Sequence, residues 1–215
     1  MDLEDLRRSY EESSLELADL MECPFAQFES WFEKAQSSPN PDWLEINAMT
    51  LATSEDNHVT ARIVLLKQVS QEGFVFFTNY KSTKGKQLAS NPQASLVFYW
   101  PHIERQIRVE GTVAKTSADI SNQYFHARPP GSQLGAIASP QSSVIESRED
   151  LVTDTIRIAE ENGEKQVPRP DYWGGYCLSP VRIEFWQGRP SRLHDRFVYN
   201  RQDCHSAWSV SRLAP

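Results

Sequence analysis

The sequence predicts a mainly β protein with accompanying helices, an α+β chain whose antiparallel strands run as a meander that closes or nearly closes into a barrel. Three observations predict it. From position 47 onward the apolar residues fall in short runs rich in β-branched and aromatic side chains. The breaks between the first three runs, EDN and SQEG, are short and polar, which suits hairpins and therefore antiparallel neighbours. No GxGxxG follows a strand, and KGK at 84–86 lacks the upstream glycine of a P-loop, so two common nucleotide-binding architectures drop out.

The elements follow in order. The first ten residues carry a helical pattern with little to anchor it, and residues 1–20 are expected to form a mobile segment ahead of one domain spanning 21–215. In PFAQFESWFEKAQ, residues Phe25, Phe28, Trp31, Phe32 and Ala35 recur at helical spacing and give one apolar face, which SSPNPDW then ends. Strands are predicted at NAMTLATS (47–54), HVTARIVLLKQV (58–69), GFVFFTN (73–79), ASLVFYW (94–100) and RQIRVEGTVAK (105–115). Helices are expected at about 117–127 and about 147–162. The strands GGYCLSPVRIEFWQ, RLHDRFVYN and AWSVSRL complete the chain.

With 215 residues and 39% hydrophobic content the chain can bury one good core. Its 22 basic residues against 29 acidic ones leave a net charge of -7, which argues against nucleic-acid or anionic-membrane binding and makes any anion site local. MDLEDLRRSYEE has acids where a secretory signal is cationic, and no run of about 18 apolar residues follows, so a cytoplasmic protein is expected. Cys23, Cys177 and Cys204 are odd in number and lack CxxC spacing, as reduced thiols would, and no metal site is expected.

Four stretches concentrate positive charge. If RLHDRFVYN is a strand, Arg192, His194 and Arg196 share one face and Leu193, Asp195 and Phe197 the other; the basic face is then either solvated or covered by an anion. Upstream, Trp186 either flanks a planar ligand or sits in the core. In RIVLLK, Arg62 and Lys67 are five residues apart and should face opposite sides of a regular strand, so they serve different groups or simply reach solvent. In YFHARPPGSQ, Tyr124 and Arg128 are one helical turn apart and Ser132 follows where the chain restarts, a combination that could cup a phosphate or be structural. In STKGKQLASN, Ser82 can cap a helix whose first turn carries Lys84 and Lys86, a conflict with the helix dipole that an anion would relieve.

Taken together and in order, RIVLLK, FFTN, NPQASLVFYW, ERQIRVEG, YFHARP, SQLGA, QSS, WGGY, EFWQG, RLHDR and RLAP resemble the pyridoxamine 5'-phosphate oxidase family, FMN-dependent enzymes of vitamin B6 metabolism. The similarity runs from about residue 24 to the C-terminus, and RRSY extends it toward the start. The resemblance implies a split-barrel homodimer with two FMN sites at the subunit interface. It implies flavin contacts from Arg62, Ile63, Val64, Leu65, Leu66 and Lys67, with Arg62 and Lys84 at the FMN phosphate. Phe77, Thr78, Gln106, Gln141, Ser142, Trp186 and Arg196 match the remaining flavin contacts.

By the same resemblance the substrate phosphate falls to Lys67, Tyr124, Arg128 and Ser132. Arg192, Leu193 and His194 lie over the reacting side, and Arg7, Arg8, Ser9 and Tyr10 form a closing flap. Arg192 and His194 are the implied catalytic residues; a guanidinium stays charged, whereas an imidazole with a reference pKa of about 6.5 can exchange a proton. Thr83 departs from the family, where arginine is common, and Lys86 could compensate. The implied activity is oxidation of pyridoxamine or pyridoxine 5'-phosphate to pyridoxal 5'-phosphate, with O2 giving H2O2. A non-catalytic FMN- or pyridoxal-phosphate-binding module and a flavin reductase are the alternatives.

Overall fold

The computed structural model describes residues 9–11, 13–163 and 165–215; Arg7, Arg8 and the rest of residues 1–8, with residue 12, are the part of the expected mobile segment that lies outside them. Strands β1 (Ala48–Glu55) and β2 (His58–Leu65) form the hairpin expected at EDN. Asp56 and Asn57 both take positive φ, 47° and 63°, which matches a two-residue turn to the twist of its strands. The second expected turn, SQEG, joins β3 (Gln68–Ser70) to β4 (Gly73–Asn79).

Strand 58–69 is therefore two strands rather than one. At the break, Leu66 N–H donates to Asn47 O while Lys67 N–H donates to Val75 O, so consecutive amides bond to opposite ends of the sheet. This corner proves central to the site.

The simple meander does not hold. With β5 (Gln93–Trp100), β6 (Arg105–Lys115) and β7 (Trp173–Gln187), the strand order is β2-β1-β5-β6-β7-β4-β3, and every pairing is antiparallel. Helix α2 (Thr83–Ser90) separates β4 from β5 and carries the chain across instead of turning it tightly, so β5 returns to β1. Strands β8 (Asp195–Asn200) and β9 (Ser209–Leu213) extend the second half of β7. No ladder joins β2 to β3 among the described residues, so the expected barrel is not closed. The β6 and β7 ladder shifts register between Glu110 and Gly111, where a Cβ on Gly111 would lie 2.1 Å from Ser179 O; only glycine admits that approach.

Helix α1 (Pro24–Ser37) lays the expected face on this sheet. Phe28 packs edge-on to Phe74 and Phe98, and Trp31 edge-on to Phe185. Each such buried ring stabilises the fold by about 1.5–3 kcal/mol. Helices α3 (Ala118–Ala127) and α5 (Arg148–Asn162) fall where the pattern places them, capped by Ser117 and Ser147. Helix α4 (Pro130–Ala138) was not expected; its proline at the first helical position needs no N–H there, so PPG opens a helix as well as ending one. Among the described residues no helix is long and apolar enough to cross a membrane.

Candidate functional site

Arg62, Lys67, Lys84 and Arg128 line one cavity of about 510 Å³, and among the described residues no carboxylate lines it with them. Alternation along a regular strand would send Arg62 and Lys67 to opposite sides. The corner resets it: Leu66 turns into the core at 6% exposure, and Lys67 returns to the cavity lined by Arg62, Ile63, Val64 and Leu65. Leu66 is thus the one residue of RIVLLK whose side chain does not line the cavity. Among the described residues none of the four cations has a salt-bridge partner.

One wall is aromatic. Phe77 of β4 stacks on Tyr124 of α3 with centroids 4.0 Å apart, and on Trp173 at 5.7 Å. Lys67 Nζ stands 5.7 Å from the Tyr124 ring, and the Arg128 guanidinium 4.8 Å from that of Trp173. Arg128 does not continue the helix as one turn of spacing suggested. It caps α3 with extended backbone (φ -74°, ψ 150°), yet it lines the same cavity as Tyr124, joined by Ser132 from the first turn of α4. Its Nη1 is buried without a hydrogen-bond partner among the described residues. Burial lowers the Arg128 pKa, with Tyr124 acting in the opposite direction.

Helix α2 brings the fourth cation. Ser82 caps it by accepting from Gly85 N–H at 3.3 Å while donating to Asn79 O at 2.7 Å. Gly85 is required because a Cβ there would meet Tyr80 O at 2.3 Å. Lys84 Nζ donates to Gln141 Oε1 at 2.9 Å, and the Thr78 hydroxyl reaches the same oxygen at 3.3 Å. Burial and then the nearby Arg62 hold the Lys84 ammonium below its ordinary pKa. Ser142, exposed at φ 73°, and Thr83, exposed at the start of α2, do not line the cavity.

The remaining predicted residues form a second group, and none of them lines that cavity. Trp186 of β7 pairs in register with Gln106 of β6 and Arg196 of β8. The Trp186 ring lies 4.6 Å from that of His194, and Tyr10 sits edge-on to both at 5.6 Å. Neighbouring Ser9 is exposed. RLHDRFVYN is a strand only from Asp195. Proline at 190 cannot donate to a ladder, and Pro190–Arg192 instead form a turn in which Ser191 and Arg192 take positive φ, 57° and 63°. The expected alternation therefore holds for buried Asp195 and Phe197 against half-buried Arg196, while Arg192 and Leu193 are both exposed.

His194 Nδ1 accepts from Arg189 N–H at 3.1 Å. Burial, then Arg192 and Arg196, lower the imidazole pKa against the opposing pull of Asp195. Arg196 is clamped by Glu184, itself 2% exposed, through Nε at 2.9 Å and Nη2 at 2.7 Å.

These two groups sit in a chain with clear relatives. A family model described as "Pyridoxamine 5'-phosphate oxidase" matches residues 40–160, and one described as "Pyridoxine 5'-phosphate oxidase C-terminal dimerisation region" matches residues 173–215. A pyridoxine/pyridoxamine 5'-phosphate oxidase of Paraburkholderia phytofirmans is 55% identical over 214 residues, 99% of either chain. The chain belongs to the pyridoxamine 5'-phosphate oxidase family. A further relative so named, from Rhodopirellula baltica, is 49% identical over 99% of this chain and 96% of its own.

Solved structures agree on the family fold. PhzG from Burkholderia lata, determined in complex with tetrahydrophenazine-1-carboxylic acid, superposes with a TM-score of 0.87 at 25% identity over 97% of this chain and all of its own. A pyridoxamine 5'-phosphate oxidase-related, FMN-binding protein of Nostoc punctiforme shares the fold at a TM-score of 0.68 and 18% identity, over 90% of this chain and 98% of its own.

Some residues of the site were given no role by the sequence reading, although Trp173 and Pro129 lie within its motifs WGGY and YFHARP. Trp173 and Pro129 complete the cavity wall. Thr53, Thr60 and Gln87 surround Arg62; Thr60 and Arg62 share a face of β2 and Thr53 pairs with Thr60, a signal that hairpin register alone could have given. Gln87 lies on another element and offered no local signal.

Proposed function

We propose that the chain is an FMN-dependent oxidase of pyridoxamine 5'-phosphate or pyridoxine 5'-phosphate, forming pyridoxal 5'-phosphate in a cytoplasmic homodimer. O2 is the electron acceptor and becomes H2O2; the alcohol substrate gives the aldehyde directly, and the amine substrate gives it through an imine that water hydrolyses, releasing NH3. The observation that carries this reading is the cavity in which, among the described residues, four cations stand without a carboxylate and Arg128 Nη1 is buried unpartnered. Such a site suits dianions, since each phosphomonoester carries about -1.5 to -2 at neutral pH.

Arg62 and Lys84 would hold the FMN phosphate, while Lys67, Tyr124, Arg128 and Ser132 would hold that of the substrate. Each charge-assisted hydrogen bond in such a cup contributes about 1.5–3 kcal/mol. When bound, FMN supplies the two-electron acceptor for oxidation at the substrate's C4' carbon. Trp186, Gln106, Arg196, Arg192 and His194 do not line the cavity of their own chain; the match of residues 173–215 to a dimerisation region supports Trp186, Arg192, His194 and Arg196 entering the cavity of a partner, and Gln106 pairs in register with Trp186. There Arg192 would orient the substrate and balance charge. Neutral His194, with Nδ1 occupied by Arg189 N–H, would carry its proton on Nε2 and could exchange it with the substrate.

A second reading is oxidation of a phenazine-type carboxylic acid, favoured by the superposition on PhzG. The 55% identity to a named pyridoxine/pyridoxamine 5'-phosphate oxidase favours the first. Purified protein supplied with FMN and pyridoxamine 5'-phosphate should form aldehyde and consume oxygen in equal amounts. Turnover of tetrahydrophenazine-1-carboxylic acid in place of the phosphate ester would select the second reading, and flavin binding without any turnover would select a carrier.

A further inference from the structure

The buried amide of Gln87 has no part in the reading above, yet it terminates the hydrogen bonds that hold Arg62. Gln87 lies in α2 at 4% exposure. Its Oε1 accepts from the Thr53 hydroxyl at 2.6 Å and from the Thr60 hydroxyl at 2.8 Å. Each hydroxyl has one proton to give. With both protons committed to Gln87, the lone pairs of the two threonine oxygens can only accept, and Arg62 supplies the donors. Its Nη1 donates to Thr53 Oγ1 at 2.6 Å and to Leu51 O at 3.0 Å, and its Nη2 donates to Thr60 Oγ1. Nη2 also stands 3.4 Å from Gln87 Oε1.

Among the described residues every acceptor around this guanidinium is neutral. Among them Arg62 is oriented on two sides without being neutralised, and its Nε–H meets no acceptor. A carboxylate at position 87 would orient the same donors but would cancel their charge, and an incoming dianion would then meet a neutral pair.

We propose that Gln87 is a positioning residue for recognition of the flavin's terminal phosphate: through Thr53 and Thr60 it fixes the Arg62 guanidinium and leaves its charge free, which sets the preference for FMN over the same flavin without phosphate. The proposal rests on the placement of Arg62 at the FMN phosphate. The consequence is one of ligand specificity, separable from turnover.

Quenching of flavin fluorescence gives dissociation constants for FMN and for riboflavin with the wild-type protein, Gln87→Glu and Thr60→Val. Gln87→Glu should weaken FMN at least about tenfold while changing riboflavin less than about twofold, and Thr60→Val should weaken FMN by about threefold with the same selectivity. A wild-type protein that binds riboflavin as tightly as FMN would remove Arg62 from the phosphate and overturn the cofactor assignment itself. A wild type that prefers FMN, with both variants retaining that preference in full, would overturn the role of Gln87 alone. If Gln87→Glu loses both ligands through misfolding, Thr60→Val decides: selective loss of FMN supports the role, and an unchanged or equal effect on both flavins refutes it.

Discussion

His194 and Lys84 show how burial prepares a single side chain. In both, desolvation is the leading cause of a lowered pKa and a neighbouring arginine adds to it. For His194 the folded imidazole binds its proton less readily than the unfolded one, so the folded state gains over the unfolded one above the reference pKa of about 6.5 and loses that advantage as pH falls below it. A His194→Gln variant should therefore lose less stability than the wild type between neutral pH and about pH 5, as urea midpoints would show. His194→Ala and Arg192→Ala should slow turnover by about 100-fold or more and leave the protein yellow, whereas colourless variants would move these residues to flavin retention.

For Lys84 the sign runs the other way with a ligand. An anion binds the protonated ammonium, so FMN affinity should fall as pH rises through a pKa below the usual 10.5, and in Lys84→Arg the fall should shift to higher pH. Residue types at this scale were readable from the sequence. Their partners were not: Arg62 binds Thr53 and Gln87 across two other elements, and no local spacing records that.

Among the elements, α2 and the Leu66–Lys67 corner do most to place the site. Ser82 is fully buried and touches Asn79 O, Gly85 N–H and Lys84 Nζ. Ser82→Ala should cost about 0.5–2 kcal/mol of stability, measured by denaturant, and should weaken FMN as Lys84 loses a partner. The helix and its cap were legible because Ser before a short amphipathic run has a local cause. The corner was not. RIVLLKQV reads as one strand by composition, and only the separate claims of Asn47 and Val75 on adjacent amides break it. The strand at 192–194 failed for a related reason, since a β-like run after a proline says nothing of the turn that Pro190 nucleates.

At the scale of the whole molecule, the site residues divide into two groups on one chain: a cationic, aromatic cavity built by β2, β4, α2, α3, α4 and the first residue of β7, and a cluster of Trp186 near the end of β7, Arg196 of β8 and His194 just before β8 that does not line it. The order of motifs in the sequence pointed to the family, but periodicity could not tell which motifs meet within one subunit. Strand order was equally hidden, because pairing β5 with β1 rather than β4 depends on long-range burial.

If each working site joins the cavity of one subunit to the histidine cluster of another, damage to the two groups must complement. A heterodimer carrying Arg128→Ala in one subunit and His194→Ala in the other, purified through two different tags, has one site with both changes and one with neither. The account predicts about half of wild-type turnover from that heterodimer, with both parent homodimers nearly inactive. A heterodimer no more active than its parents would contradict it.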